Sequence, residues 1–160
     1  MKRPKLLVDG MLGSLARKLR IYGFDVFFDP KLDDDEILLE AEAQGRVILS
    51  SDEELYRRAL KRRLEAVYVR GMDDVERLSM VFDELGLDVS LDLVETRCPL
   101  CNGLLNRVGR EEVSDLPPGI VERYEVFYKC ESCGHIYWEG SHWNRLKEMD
   151  RAVKRLRNNL

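Results

Sequence analysis

The 160-residue sequence predicts an α/β fold: a small parallel sheet followed by a four-cysteine segment and a C-terminal helix. Three observations carry this reading. Four short apolar runs, Leu6 to Val8, Val26 to Phe28, Val47 to Leu49 and Ala66 to Val69, are each followed by turn residues and mostly by a helical pattern; strands alternating with helices imply a parallel sheet. All four cysteines fall in two Cys-x-x-Cys pairs, Cys98/Cys101 and Cys130/Cys133. Trp143, Leu146, Met149, Val153 and Leu156 then form one apolar stripe at helical spacing.

Taken in order, Leu6 to Val8 is a buried strand that delivers Asp9 to a turn at Gly10. Leu12, Leu15, Ala16 and Leu19 give the next segment one apolar face, and Gly23 ends it. The second helix starts at the Asp33-Asp34-Asp35 run, is lined by Ile37, Leu38 and Ala41, and stops at Gly45. Further helices are expected over Glu53 to Leu60 and Val75 to Leu85. Right-handed crossovers make a doubly wound layer the economical arrangement. Around Val89 to Arg97 the character changes, which divides the chain into 1–92 and 93–160. In the second part, strands are expected near Leu104 to Val108, Val126 to Tyr128 and Ile136 to Trp138, with a loop around Leu116 to Gly119 and Ser141 as N-cap of the last helix.

No apolar run approaches the ~20 residues of a membrane span, and the opening leads into a run too short for a signal-peptide core, so a cytoplasmic protein with no membrane partner is expected. The net charge of −4 argues against a wholly basic nucleic-acid binder, but residues 140–160 carry +4 and can bind phosphate locally. A solvated helix face is the plainer reading of any one of those cations.

Asp9 follows the first strand, Asp34 and Asp35 open the helix after the second, and Asp52 follows the third. Each alone reads as a helix cap. If the strand order is 2-1-3-4, however, Asp9 and Asp52 face each other at the crevice where such sheets bind ligands. Acids gathered there raise one another's pKa unless a cation neutralises them, which points to Mg²⁺ or another divalent ion. The cysteine pairs match a tetrahedral Zn²⁺ site with no open coordination position, hence structural rather than catalytic. Tyr137, Trp138 and His142 beside Arg145 are able to stack on single-stranded bases, though packing is the plainer reading of each. A phosphoacceptor domain would share the aspartate after the third strand but lacks an evident lysine after a fifth, and a dinucleotide site would need a third glycine beyond Gly10 and Gly13.

The segments VDGMLGSLARKLRIYGFDV, DPKLDDDEIL, ILSSDEEL, RCPLCN and YKCESCGHIYWEGSHW resemble, in order and over nearly the whole chain, the Mut-seven C-terminal ribonuclease domain family. The resemblance implies a PIN-like nuclease domain over 1–92, followed over 93–160 by a zinc ribbon with a basic amphipathic C-terminal helix. It also implies metal-dependent hydrolysis of RNA, single-stranded by expectation, with Asp9, Asp35 and Asp52 holding Mg²⁺ or Mn²⁺. Asp34 is the alternative middle acid and Asp35 is slightly favoured; Asp73, Asp74 and Glu53 are candidates for a fourth. Arg17 is placed to reach the scissile phosphate, with Lys18, Arg20 and Arg145 along the RNA backbone. The ribbon would aid RNA binding or engage a ribosomal or RNA-processing partner. The rival is a non-catalytic RNA- or ribosome-binding zinc-ribbon module in which the aspartates only cap helices.

Overall fold

A computed structural model describes residues 3–158. Its first half is a parallel sheet of β1 (Leu6–Val8), β2 (Val26–Phe27), β3 (Val47–Ser50) and β4 (Ala66–Tyr68), in the order β2-β1-β3-β4. The strands are short unbroken apolar runs because both faces are covered. Leu6, Val8 and Leu49 pack on one face with α1 (Gly13–Ile21) and α4 (Asp74–Glu84), while Leu7 and Ile48 pack on the other with α2 (Asp34–Gln44) and α3 (Glu53–Lys61). The chain leaves β1 over one face and β3 over the other, so the carboxyl ends of these two neighbours flank the switch point.

Local chemistry sets the boundaries. A short 3-10 turn, Gly10–Leu12, leads into α1. Asp33 accepts from Glu36 N at 2.8 Å and Glu36 accepts from Asp33 N at 3.2 Å, a reciprocal cap that fixes the start of α2. After α1 the chain turns at Gly23, where φ is +100° and a Cβ would come 2.8 Å from the Glu95 carbonyl oxygen, so only glycine fits.

Phe82 of α4, 1% exposed, meets Tyr22 edge-on with centroids 5.0 Å apart and stacks on Phe24 at 6.1 Å. Phe82→Ala is expected to cost about 3–5 kcal/mol, read as a lower urea midpoint at unchanged slope.

The second half forms an antiparallel ribbon of β5 (Leu105–Val108), β6 (Phe127–Cys130) and β7 (Ile136–Tyr137), in the order β5-β6-β7. The stretch expected as a plain loop contains a one-and-a-half-turn helix, α5 (Pro118–Arg123), with proline in its first turn. The last helix, α6 (Ser141–Asn158), already includes Ser141, and the Gly140 carbonyl accepts from Asn144 N at 3.1 Å, so Gly140 rather than Ser141 takes the cap. A Cβ on Gly140 would come 2.8 Å from Trp138 Nε1, and this close approach explains the glycine there.

Although α6 follows the ribbon in sequence, it packs across both units. Val153 joins the core of α1 and α4, and Trp143 and Leu146 cluster with Ile21, Leu93 and Tyr128. Tyr22 Oη donates to Asp150 Oδ1 at 2.7 Å, and Arg157 Nε donates to Asp83 at 2.8 Å.

Candidate active site

Asp9 sits just past β1 with extended backbone, at the head of the 3-10 turn, yet its side chain makes no capping hydrogen bond. Its Oδ2 instead accepts from Ser50 Oγ at 2.8 Å. Ser50, the last residue of β3 and 0% exposed, also accepts from Asp52 N at 3.0 Å through the same oxygen. The pairing of β1 with β3, which sets Val8 opposite Leu49, thus becomes a hydroxyl bridge between two acidic positions. Asp52 caps α3 through Oδ1, which accepts from Glu54 N at 2.9 Å and Leu55 N at 3.2 Å; Oδ2 lies outside the cap.

Asp34 is the first residue of α2. Burial pushes its pKa up, the charges of Asp52 and Asp9 push it further, and Arg58 partly offsets them. Arg58 pairs with both neighbouring acids, with Asp35 and, at 3.9 Å, with Asp34; Asp35 is the more exposed of the two. One residue is about 100° around a helix, so the two acids face different ways, and it is Asp34, not the slightly favoured Asp35, whose pKa feels the charges of Asp52 and Asp9. Asp73 caps α4 by accepting from Glu76 N at 2.9 Å, and Glu53 pairs outward with Arg57 at 2.5 Å. Asp74 accepts from Ser14 Oγ at 2.6 Å and from Lys18; burial pushes its pKa up, but these two hydrogen bonds bring it below the usual carboxylate range.

Two contributors escaped sequence reasoning. Ser50 was readable only as a polar residue ending an apolar strand, and Glu54, whose charge also raises Asp34, is one of several acids in the first turn of α3.

Because the folded pKa of Asp34 is raised, the native state holds that proton more tightly than the unfolded chain does. Its ionisation costs stability, a cost absent in acid and developing as pH rises through the raised pKa. Without added divalent ion, Asp34→Asn is therefore expected to melt slightly higher than wild type near neutrality, by less than about 1 kcal/mol for so exposed a group. The advantage should vanish on acidification, and thermal melts between about pH 3 and pH 7 check it.

These carboxylates and hydroxyl form an all-oxygen donor set, the kind that suits a hard cation keeping part of its water shell. They are set wider than a closed cage: among the described residues, only the four cysteines bring three or more candidate ligand atoms within 4.8 Å of one another.

Of the expected cations, Arg17 is exposed on α1, and Lys18 is half-buried against Asp74. Arg20 is a correction. It is 7% exposed, donates through Nε and Nη2 to the Val26 carbonyl and through Nη1 to that of Pro99, and is a strut rather than an RNA contact. Burial lowers its pKa, and nearby Cys101 and Cys98 oppose this.

The cysteine cluster fits structural zinc. Cys98 and Cys133 sulfurs lie 3.7 Å apart, and those of Cys101 and Cys130 lie 3.4 Å apart; a tetrahedron with ~2.3 Å Zn–S bonds sets its sulfurs about 3.8 Å apart. Burial would push the Cys130 thiol up, but the amides of Cys133 and Ser132 bring it down to about 7. Asn102, in the left-handed region at φ 73°, carries the first knuckle onto the sheet. Its Oδ1 accepts from Val26 N at 3.0 Å and its Nδ2 donates to Asp25 at 2.8 Å, closing the open edge of β2.

A family model described as the Mut7-C RNAse domain matches residues 4–150. No curated protein and no solved structure matches the chain. Among the described residues, no helix is long and apolar enough to cross a membrane.

Proposed function

The chain belongs to the Mut7-C RNAse domain family, and from that premise we propose that it is a metal-dependent ribonuclease hydrolysing phosphodiester bonds of single-stranded RNA. The supporting observation is the set of acids at the β1/β3 switch point: Asp9, held by Ser50 instead of capping a helix, with Asp52 beside it and Asp34 under their charge.

In this reading Asp9, Asp34 and Asp52 hold Mg²⁺ or Mn²⁺. A divalent ion supplies a bound water of lowered pKa and neutralises charge on the phosphate. Ser50 fixes the rotamer of Asp9 and the backbone of Asp52 together, so that both acids present their remaining oxygens to one crevice. Asp34 must be ionised to serve, and its raised pKa makes activity fall as pH drops through that value. Arg17 reaches the scissile phosphate, while Lys18 and Arg145 contact the strand as point charges that position without reading sequence. The ribbon, folded around structural zinc, extends the RNA-binding surface or engages a ribosomal or RNA-processing partner.

The test is cleavage of end-labelled single-stranded RNA by zinc-loaded protein, with Mn²⁺, with Mg²⁺, or with no added divalent ion. Products that require the added ion are expected. The second reading, a non-catalytic RNA- or ribosome-binding module, has the capping bonds of Asp52 in its favour; it is supported instead if RNA binds and no ion elicits products.

A further inference from the structure

We infer that the aromatic groove between the zinc knuckles and the start of α6 is a stacking site for a base of single-stranded RNA, an anchor at the opposite end of the α/β layer from the acids. The choice of ligand rests on the ribonuclease reading. The groove encloses about 360 Å³, within the range of small-ligand pockets, between Pro99 and Leu100 of the first knuckle and His135, Tyr137, Trp138 and His142. A smaller recess of about 50 Å³ continues from it to Trp143.

Its rings are braced from behind. Tyr137 Oη lies 3.1 Å from Cys98 Sγ, the His135 ring lies 4.7 Å from that of Tyr137, and Trp138 packs edge-on to Phe127 at 6.2 Å. A platform fixed in this way loses little freedom when a base stacks on it. Leu100, at the knuckle's tip, is 62% exposed and extends the apolar wall into solvent. Trp143 is 6% exposed, yet its indole N–H has no acceptor among the described residues, an uncommon state for a buried donor. Nucleobase edges carry such acceptors.

Charge favours RNA over an apolar peptide. Ser141 and His142, in the first turn of the 18-residue α6, lie at the groove, and helix N-termini favour anions. Arg145, three residues beyond His142, shares its helix face and is exposed, so a phosphate beside a stacked base meets a cation.

The layout also sets a length. Ile21, at the end of α1, lines the inner recess, whereas Asp9 precedes the start of that helix. The nine residues of α1 span about 14 Å, and the turn Gly10–Leu12 adds to the separation between groove and acids. The anchor therefore acts on strands long enough to reach from groove to acids.

Trp138 and Trp143 are the only tryptophans of the chain, so its fluorescence reports on this groove. The experiment titrates zinc-loaded protein, without added divalent ion, with a dinucleotide and with an oligoadenylate of about twelve nucleotides. The long strand is expected to quench emission saturably and the dinucleotide to bind far more weakly. Leu100→Glu, on the exposed tip, and His142→Ala should each weaken the long strand roughly tenfold, and Trp138→Ala at least as much. The inference is overturned if the long strand does not bind wild type, if it binds without changing emission, or if Leu100→Glu and His142→Ala bind as tightly as wild type; these are the results of a protein-docking or purely structural face. Mn²⁺-dependent cleavage on the same proteins separates the two readings. Cleavage with normal binding by the groove variants removes the anchor alone, and quenching without cleavage removes the nuclease reading alone.

Discussion

Asp9→Asn is expected to lower Mn²⁺-dependent RNA cleavage by roughly 10³-fold or more, because removing one anionic ligand forfeits several kcal/mol of charge stabilisation at the phosphate. The substitution isolates charge from shape. The amide oxygen still accepts from Ser50 Oγ, and Asp9 makes no capping bond that the fold would lose. The melting temperature should therefore stay close to that of wild type while the rate collapses. Asp52→Asn should behave alike, since asparagine is as good an N-cap as aspartate, so any shared loss is catalytic rather than structural. The adjacent acids of α2 supply the control. Asp34→Asn should fall with Asp9→Asn, and Asp35→Asn, which takes one of Arg58's two acidic partners and leaves it Asp34, should keep activity within a few-fold on the scale of an exposed ion pair. Equal loss at Asp34 and Asp35, or retained cleavage in Asp9→Asn, contradicts the assignment.

Removing zinc is expected to disturb more than the ribbon. Four thiols without their ion leave the knuckles without a core, and structural zinc contributes folding energy directly. The first knuckle closes the edge of the parallel sheet: Asn102 receives the Val26 amide, and Arg20 joins the carbonyls of Val26 and Pro99. Chelation, or Cys98→Ser, should lower the melting temperature by about 10 °C or more, since each kcal/mol shifts a domain of this size by a few degrees. Hydrogen exchange should accelerate at the Val26 amide as well as in the ribbon. Unchanged protection at Val26 after zinc loss would show that the sheet edge does not depend on the knuckle.

Much of this was legible in the sequence because its signals are local. Unbroken apolar runs marked β1 to β4, helix punctuation by Asp33 and Gly45 marked α2, and the cysteine spacing marked the zinc-fitting cluster. The parallel order β2-β1-β3-β4 agrees with the switch-point arrangement that brings Asp9 beside Asp52. What sequence left unresolved depends on direction and distance. Neighbouring acids in DDDE differ by about 100° around the helix, which composition does not record. Arg20 looks like any other basic residue of KLR until the knuckle folds over it and withdraws it from solvent. Ser50 carries no signal of its own; its role appears only when β1 and β3 lie side by side. The stripe of α6 predicted a docking face, but not that the face is shared between Val153 on the sheet side and Trp143 on the ribbon side.

The most direct measurement is Mn²⁺ binding to the zinc-loaded protein, read by electron paramagnetic resonance of the free ion, for wild type and Asp9→Asn. The expected result is saturable binding by wild type that Asp9→Asn loses, with its thermal melt unchanged. Identical titrations of the two proteins, or no saturable binding by wild type, would contradict a divalent-ion site at the acidic edge and leave Asp9, Asp34 and Asp52 as structural residues.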